Sequence, residues 1–344
     1  MRKPIKTLMA AVAGFAAAAA ISTSAYAAGT LNGAGGTAIY PVLSVWAQKY
    51  QEKTGVAVNY QAIGSGGGIK QIESKTVDFA NSDKPLKHDD LTANNLDQFP
   101  QVVISIVPVL NLPGIKPGEL VIDGPTLANI FLGKITMWND AALKKLNPGV
   151  NLPDTSIVVV HRSDGSGTTF NFTNYLGKVS PEWASNVGSD TSVAWPTGIG
   201  GKGNAGVAAA VQQAAGSLGY VEYAYAMQNN LIYMDMINRD GKRVKPTMES
   251  FQSAAAHADF SNVQDFYLIL TDQPGAQSWP ITAATYMLMR KDYDAAKNKE
   301  VLKFLDWCLK DGQADAQKLD YVPFPESVVN QIEKSWTTEL KAWP

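Results

Sequence analysis

Three short stretches hold the residues best suited to chemistry. They are Gly33-Ala34-Gly35-Gly36-Thr37, Gly64-Ser65-Gly66-Gly67-Gly68 and Asp164-Gly165-Ser166-Gly167-Thr168. Each joins Gly to Ser or Thr, and each precedes a helix-like run. The first turn of a helix leaves N–H groups unsatisfied, and the helix dipole places partial positive charge there. Glycine lets a ligand come close to the backbone, and the hydroxyls add donors. A single junction of this kind is also consistent with a tight, capped turn. Three converging on one point could hold a dehydrated oxyanion without net protein charge.

Two charged residues stand beside these loops. Arg162 immediately precedes the third loop, and its planar guanidinium suits a bidentate grip on an oxyanion. Asp83, in Asn81-Ser82-Asp83, follows the strand-like run Thr76 to Ala80. A carboxylate beside an anion is favourable only if the ligand brings a proton to donate. Protonated phosphate does so at neutral pH and sulfate does not, so an Asp in the pocket would select phosphate. An ordinary helix-capping or surface role for Asp83 is the reading that the residues alone favour.

Other chemistries fit poorly. Neither Ser65 nor Ser166 lies in G-x-S-x-G, because Ile63 and Asp164 occupy the first position. Three His and one Cys disfavour a Ser-His-Asp triad and a His/Cys metal site. Gly198 to Gly203 matches G-x-G-x-x-G, but it follows Trp195-Pro196-Thr197, which reads as a loop. Gly201-Lys202-Gly203 lacks the Ser or Thr of a P-loop. Cys308, on an apolar helix face, reads as a small buried hydrophobe. His88 and His257 lie in polar stretches and read as exposed.

The elements that must position these loops follow from periodicity. Strands are expected at Val56 to Ile63, Val102 to Leu110, Ser156 to His161, Gly219 to Tyr225 and Ile281 to Arg290. Leu43, Trp46, Ala47 and Tyr50 share one helical face, and Gly55 stops that helix. Val301, Phe304, Leu305 and Cys308 repeat the spacing. Val328, Ile332, Trp336 and Leu340 do so within a helix expected from Glu326 to Trp343. A further helix is expected over Phe170 to Leu176. Such alternation predicts α/β layers with largely parallel strands.

The chain has 344 residues and a formal net charge of −2. That excludes a whole-surface basic nucleic-acid binder. Its apolar fraction of 45% is that of a globular protein. Arg2, Lys3 and Lys6 precede an Ala-rich run from Leu8 to Ile21 that ends at Ala25-Tyr26-Ala27. This predicts a secretory signal peptide over residues 1–27, cleaved after Ala27. Removing its three cations from the 29 leaves 26 basic against 31 acidic residues, a net of −5.

The same residues resemble the periplasmic phosphate-binding proteins of high-affinity phosphate ABC transporters. The resemblance covers the whole mature chain. It rests on the three loops with Arg162, on Val77-Asp78-Phe79 with Asp83, and on Leu132-Gly133-Lys134 with Trp138. Trp195-Pro196, Gly200-Gly201-Lys202-Gly203-Asn204 and Gly219-Tyr220-Val221-Glu222-Tyr223 complete it. It implies an α/β, two-lobed periplasmic-binding-protein fold of type II, with the ligand in the interlobe cleft. Lobe I would comprise residues 28–104 and 252–344, and lobe II residues 105–251, with crossings near Ile104 and near Met248 to Ala254.

Carried over residue by residue, the phosphate ligands would be Thr37, Ala38, Ser65, Asp83, Arg162, Ser166, Gly167 and Thr168. Asp164 would pair with Arg162. The family often has Phe where this chain has Ala38, so the Ala38 backbone N–H is the group expected to act. The resemblance implies no catalytic residue, metal or cofactor. It implies a monomer that binds inorganic phosphate in the periplasm and delivers it to inner-membrane permease subunits, with no nucleic-acid partner. A binder of another oxyanion (sulfate or molybdate) and an exported phosphohydrolase are the competing readings.

Overall fold

The structure is a computed structural model that describes residues 29–343. The expected signal peptide and its cleavage site lie outside the described residues. No helix among the described residues is long and apolar enough to cross a membrane.

The sequence first builds a parallel unit. Strand β1 (Thr30–Gly35) pairs in parallel with β2 (Ala57–Ala62) and β3 (Phe79–Ser82). Helix α1 (Tyr40–Thr54) connects β1 to β2, and α2 (Ser65–Glu73) connects β2 to β3. Helix α1 buries Val42, Leu43, Trp46 and Tyr50. Gly55, at φ 79°, stops it with an N–H donated to Gln51 O at 2.8 Å, the left-handed cap that glycine adopts without a Cβ penalty.

Strand β4 (Leu96–Asn111) ties the molecule together. It pairs antiparallel with Thr282–Arg290 over Leu96 to Ser105, then antiparallel with Ser217–Glu222 over Ile106 to Asn111. Val158–Arg162 and Ile199–Gly201 continue the second half in parallel. The strand path is therefore β2, β1, β3, Thr282–Arg290, β4, Ser217–Glu222, Val158–Arg162, Ile199–Gly201.

The structure departs from several of the expectations. The sheet is mixed rather than largely parallel, because antiparallel strands occupy its centre. Strand β4 starts six residues earlier than its apolar run, at Leu96. Its first half carries Asp97, Gln98, Pro100 and Gln101, which hid it from an apolar-run criterion. Pro100 lies where the register with Thr285 and Tyr286 shifts, and the irregularity accommodates a residue that has no N–H to give. The strand expected to reach Tyr225 ends at Glu222, where the Glu222 side chain caps a helix at Tyr223–Gln228. The last helix is α-helical over Glu326–Ser335 and continues as a π-helical turn at Trp336–Leu340. Its expected apolar face, Val328, Ile332, Trp336 and Leu340, is buried throughout, as is Cys308.

Candidate functional site

The three glycine-rich loops meet. Residues 36–39 turn from β1 into α1, Ser65 opens α2, and Ser166 caps the helix Gly167–Val179 with its Oγ accepting from Thr169 N at 3.0 Å. The first and second loops come from the half of the sheet built on β1. The third comes from the half built on Val158–Arg162. The two halves are locked where Gly66 N–H donates to Gly165 O at 3.0 Å.

Ser65 Oγ is the hub. It accepts from Asp83 N at 3.2 Å and from Gly167 N at 3.1 Å. Asn171 Nδ2 bridges Asp83 O at 2.7 Å and Gly167 O at 3.0 Å. Gly167 has no room for a side chain, since a Cβ there would sit 2.5 Å from Ser65 Oγ and 2.6 Å from Asp83 Cβ. Gly64, at φ 89°, would drive a Cβ to 2.4 Å from Asp164 Oδ2. These glycines are what let the loops close on one point.

Arg162 and Asp164 form the planar pair expected of them. Arg162 Nε donates to Asp164 Oδ1 at 2.7 Å and a terminal nitrogen donates to Oδ2 at 2.6 Å. The other terminal nitrogen turns to Thr168 Oγ1 at 3.4 Å. Asp164 also accepts from Gly203 N at 3.0 Å. Burial pushes the Asp164 carboxyl up, but Arg162 and Gly203 outweigh it and hold it below the usual range.

Asp83 is placed differently. It is 1% exposed. Thr285 Oγ1 donates to its Oδ1 at 2.7 Å, while Oδ2 is buried with no hydrogen-bond partner among the described residues. Thr285 sits at the register shift in its strand, the kind of irregularity that re-aims a side chain. Burial pushes the Asp83 carboxyl up to about 6, against the Thr285 hydrogen bond and the Arg162 charge. Its burial excludes the surface alternative, and capping is excluded because Oδ1 accepts from Thr285 and Oδ2 from no helix N–H among the described residues.

Thr37, Ser65, Asp83, Arg162, Ser166 and Thr168 are all buried, and they converge. Ala38 also lies there, but its side chain packs fully into the core. Only its backbone is available to a ligand. A cavity of about 260 Å³ lies beside them, lined by Thr37, Tyr40 and Ile63 from one side and Asp164, Lys202 and Gly203 from the other. Among the described residues no group of three or more His, Cys, Asp or Glu is arranged to hold a metal ion.

Several contributors were not recognised from the residues alone. Asn204 donates from Nδ2 to Thr37 Oγ1 at 2.8 Å and to Thr168 Oγ1 at 3.2 Å, spanning both halves. It opens a fourth strand–glycine–helix junction, since Ile199–Gly201 is a strand and Gly203–Gln213 a helix. The signal was present in Gly200-Gly201-Lys202-Gly203-Asn204, which carries part of the family resemblance but fits neither a dinucleotide fingerprint nor a P-loop. Tyr225 donates to Thr37 O at 2.7 Å. Neither Tyr225 nor Thr285 had a local signal, because each reaches the loops from a distant element.

This arrangement is shared with known proteins. Residues 20–311 match the family model described as a PBP superfamily domain. The chain is 54% identical over 312 residues to the phosphate-binding protein PstS of Xylella fastidiosa, covering 90% of this chain and 86% of that protein. It is 52% identical over 314 residues to PstS of Pasteurella multocida, covering 91% of each. The chain belongs to the PstS phosphate-binding protein family. Its backbone has the two-lobed fold of a periplasmic binding protein, which it shares with a solved structure. That structure, a phosphate ABC transporter substrate-binding protein from Clostridium perfringens with bound phosphate, is 19% identical. It superimposes with a TM-score of 0.63, over 86% of this chain and 100% of that one. In this PstS-family chain, the four glycine junctions lie where the two halves of the sheet meet.

Proposed function

We propose that this chain binds inorganic phosphate between its lobes and delivers it to the permease of an ABC transporter. The observation that carries the reading is the pairing of buried donors with one orphaned acid. Thr37, Ser65, Ser166 and Thr168 are buried on the loops that meet beside Asp83, one Arg162 nitrogen reaches Thr168 Oγ1, and Asp83 Oδ2 has no partner among the described residues. Arg162 is already neutralised by Asp164. The pocket therefore carries the unbalanced negative charge of ionised Asp83. An oxyanion is favourable there only if it donates a proton to Asp83, which protonated phosphate does and sulfate does not.

The ligand contacts follow from the loops. The Ala38, Gly167 and Thr168 amides and the Thr37, Ser65, Ser166 and Thr168 hydroxyls donate to phosphate oxygens. Arg162 donates from the nitrogen not held by Asp164. The proposed lobes are 28–104 with 252–344, and 105–251. Support for a hinge near Ile104 is the change of partner along β4 between Ser105 and Ile106. Closure about it excludes water and strengthens each hydrogen bond. The closed form is the one the permease would recognise. Export to the periplasm with loss of residues 1–27, and action as a monomer, complete the reading.

The names of the PstS relatives favour binding over phosphoester hydrolysis. The test is calorimetric titration with phosphate after stripping endogenous ligand, together with incubation with a generic phosphoester. Tight one-to-one phosphate binding without phosphate release is expected. Turnover, or tighter binding of sulfate or molybdate, would overturn it.

A further inference from the structure

Beneath the first ligand loop lies a buried carboxyl that phosphate binding does not use. Glu222 ends the strand Ser217–Glu222 opposite Ile106, where β4 has just changed partner, and is 1% exposed. Its Oε2 accepts from Ala224 N at 3.0 Å and lies 3.1 Å from the Tyr321 hydroxyl. Its Oε1 is buried with no hydrogen-bond partner among the described residues. The Tyr321 hydroxyl lies 2.6 Å from Ala38 O.

The hydrogens can be counted. A phenol has one. The Ala38 carbonyl can only accept, so an oxygen–oxygen distance of 2.6 Å requires the Tyr321 hydrogen to point there. Tyr321 then offers Glu222 only lone pairs. Two oxygens at 3.1 Å with no hydrogen between them would repel. The missing hydrogen must come from the carboxyl. An ionised Glu222 would in addition leave a charged oxygen buried and unpaired at Oε1.

We infer that Glu222 is held as the neutral acid and, through Tyr321, positions the Ala38 carbonyl of the first ligand loop. The proton count stands by itself, while the consequence for affinity rests on the phosphate reading above. The relay runs from Glu222 Oε2–H to Tyr321 and from Tyr321 O–H to Ala38 O. The preceding peptide is held in the same way by Tyr225, which donates to Thr37 O at 2.7 Å. In a trans peptide the N–H points opposite to the C=O. Pulling on Thr37 O therefore turns the Ala38 N–H away from Tyr225.

The titratable and charged groups around Glu222 are Tyr223 and Tyr225 from the following helix, Tyr321 from the C-terminal segment and Asp83 from the loop after β3. Asp320 and Arg162 act on these tyrosines. Burial is the main force pushing Glu222 well above the usual carboxylate range, and the Asp83 charge adds to it. A raised carboxyl favours the folded seam fully below the ordinary Glu value of 4.5, and that contribution is lost as pH rises from there through the folded titration point. Ionised Glu222 would take the Tyr321 hydrogen for itself and leave Ala38 O without a donor.

Infrared spectroscopy of the full mature chain tests the proton directly. At about pH 8, where an unburied Glu is ionised, the wild type should show the carbonyl stretch of a protonated carboxylic acid. The band should shift when glutamate, but not aspartate, is labelled with carbon-13, and vanish in Glu222→Gln. A labelled wild type without such a band overturns the inference, whether or not the variant folds. Phosphate titration tests the positioning. Tyr321→Phe and Glu222→Ala should each bind phosphate about tenfold more weakly, the cost of one lost buried hydrogen bond. Glu222→Gln, which keeps a donor, should recover most of that loss. Tyr321→Phe with wild-type affinity, or Gln no better than Ala, would overturn the positioning role. A wild type that binds no phosphate would overturn the phosphate reading instead and leave the infrared result to decide the proton.

Discussion

The two walls of the cleft solve opposite electrostatic problems. The wall from Val158–Arg162 carries a cation, Arg162, and matches it with Asp164 through two hydrogen bonds of 2.7 and 2.6 Å. The wall from β1 to β3 carries an acid, Asp83, and leaves one of its oxygens with nothing. One charge is neutralised and positioned. The other is buried at a cost. The difference teaches how, on the proposed reading, an acidic chain can take an anion: dipoles and hydroxyls would supply the attraction, and the unmatched acid would decide which anion may donate to it.

The comparison breaks most severely if the matched charge is removed. Arg162→Met should weaken phosphate binding by about 4 kcal/mol, roughly a thousandfold, because it also strands Asp164 in the pocket. Calorimetry reads this, and a loss below about tenfold would show that Arg162 is peripheral.

Asp83→Asn should act in the other direction on the ligand-free protein. Burial raises the Asp83 carboxyl from 3.8 to about 6, so the folded state prefers the neutral acid. That preference is complete below about pH 4 and is lost as pH rises through about 6. The ligand-free variant should thus match the wild type in acid. Above about pH 6 it should be more stable by about 3 kcal/mol, the equivalent of a two-unit shift. Chemical denaturation across pH checks this. A variant destabilised at neutral pH would mean that Asp83 is compensated by a group not recognised here.

Asn204→Ala removes donors to Thr37 and Thr168, one on each wall. About a tenfold loss of phosphate affinity is expected, together with a more open ligand-free form in small-angle scattering. Unchanged values in both would show that the two walls meet without it. The smallest effect is that of salt. A desolvated ligand in a closed cleft should lose less than about threefold in affinity between low and physiological ionic strength. A steep fall would place phosphate on an exposed basic patch instead.

The matched wall was far more legible in the sequence than the unmatched one. Arg162, Asp164, Ser166, Gly167 and Thr168 are contiguous, and one loop followed by one helix places them all. Apart from the family resemblance, Asp83 was visible only as a lone acid after a strand, because its burial is created by Thr285, Ser65 and Asn171 from three other elements. The fold shows the same division. Local periodicity reveals the buried face of α1 and the cap at Gly55. It does not reveal the first half of β4, whose polar residues are buried by pairing with a strand nearly two hundred positions away. Asn204 was legible in principle, since its glycine junction repeats the pattern of the other three.

The most direct test of the central claim is the ratio of phosphate to sulfate affinity, measured by calorimetry on stripped protein at neutral pH, for the wild type and for Asp83→Asn. The wild type should prefer phosphate by at least about a hundredfold, near 3 kcal/mol, and the variant should lose most of that preference. An unchanged ratio in Asp83→Asn would contradict the claim that the unmatched acid selects the ligand by accepting its proton.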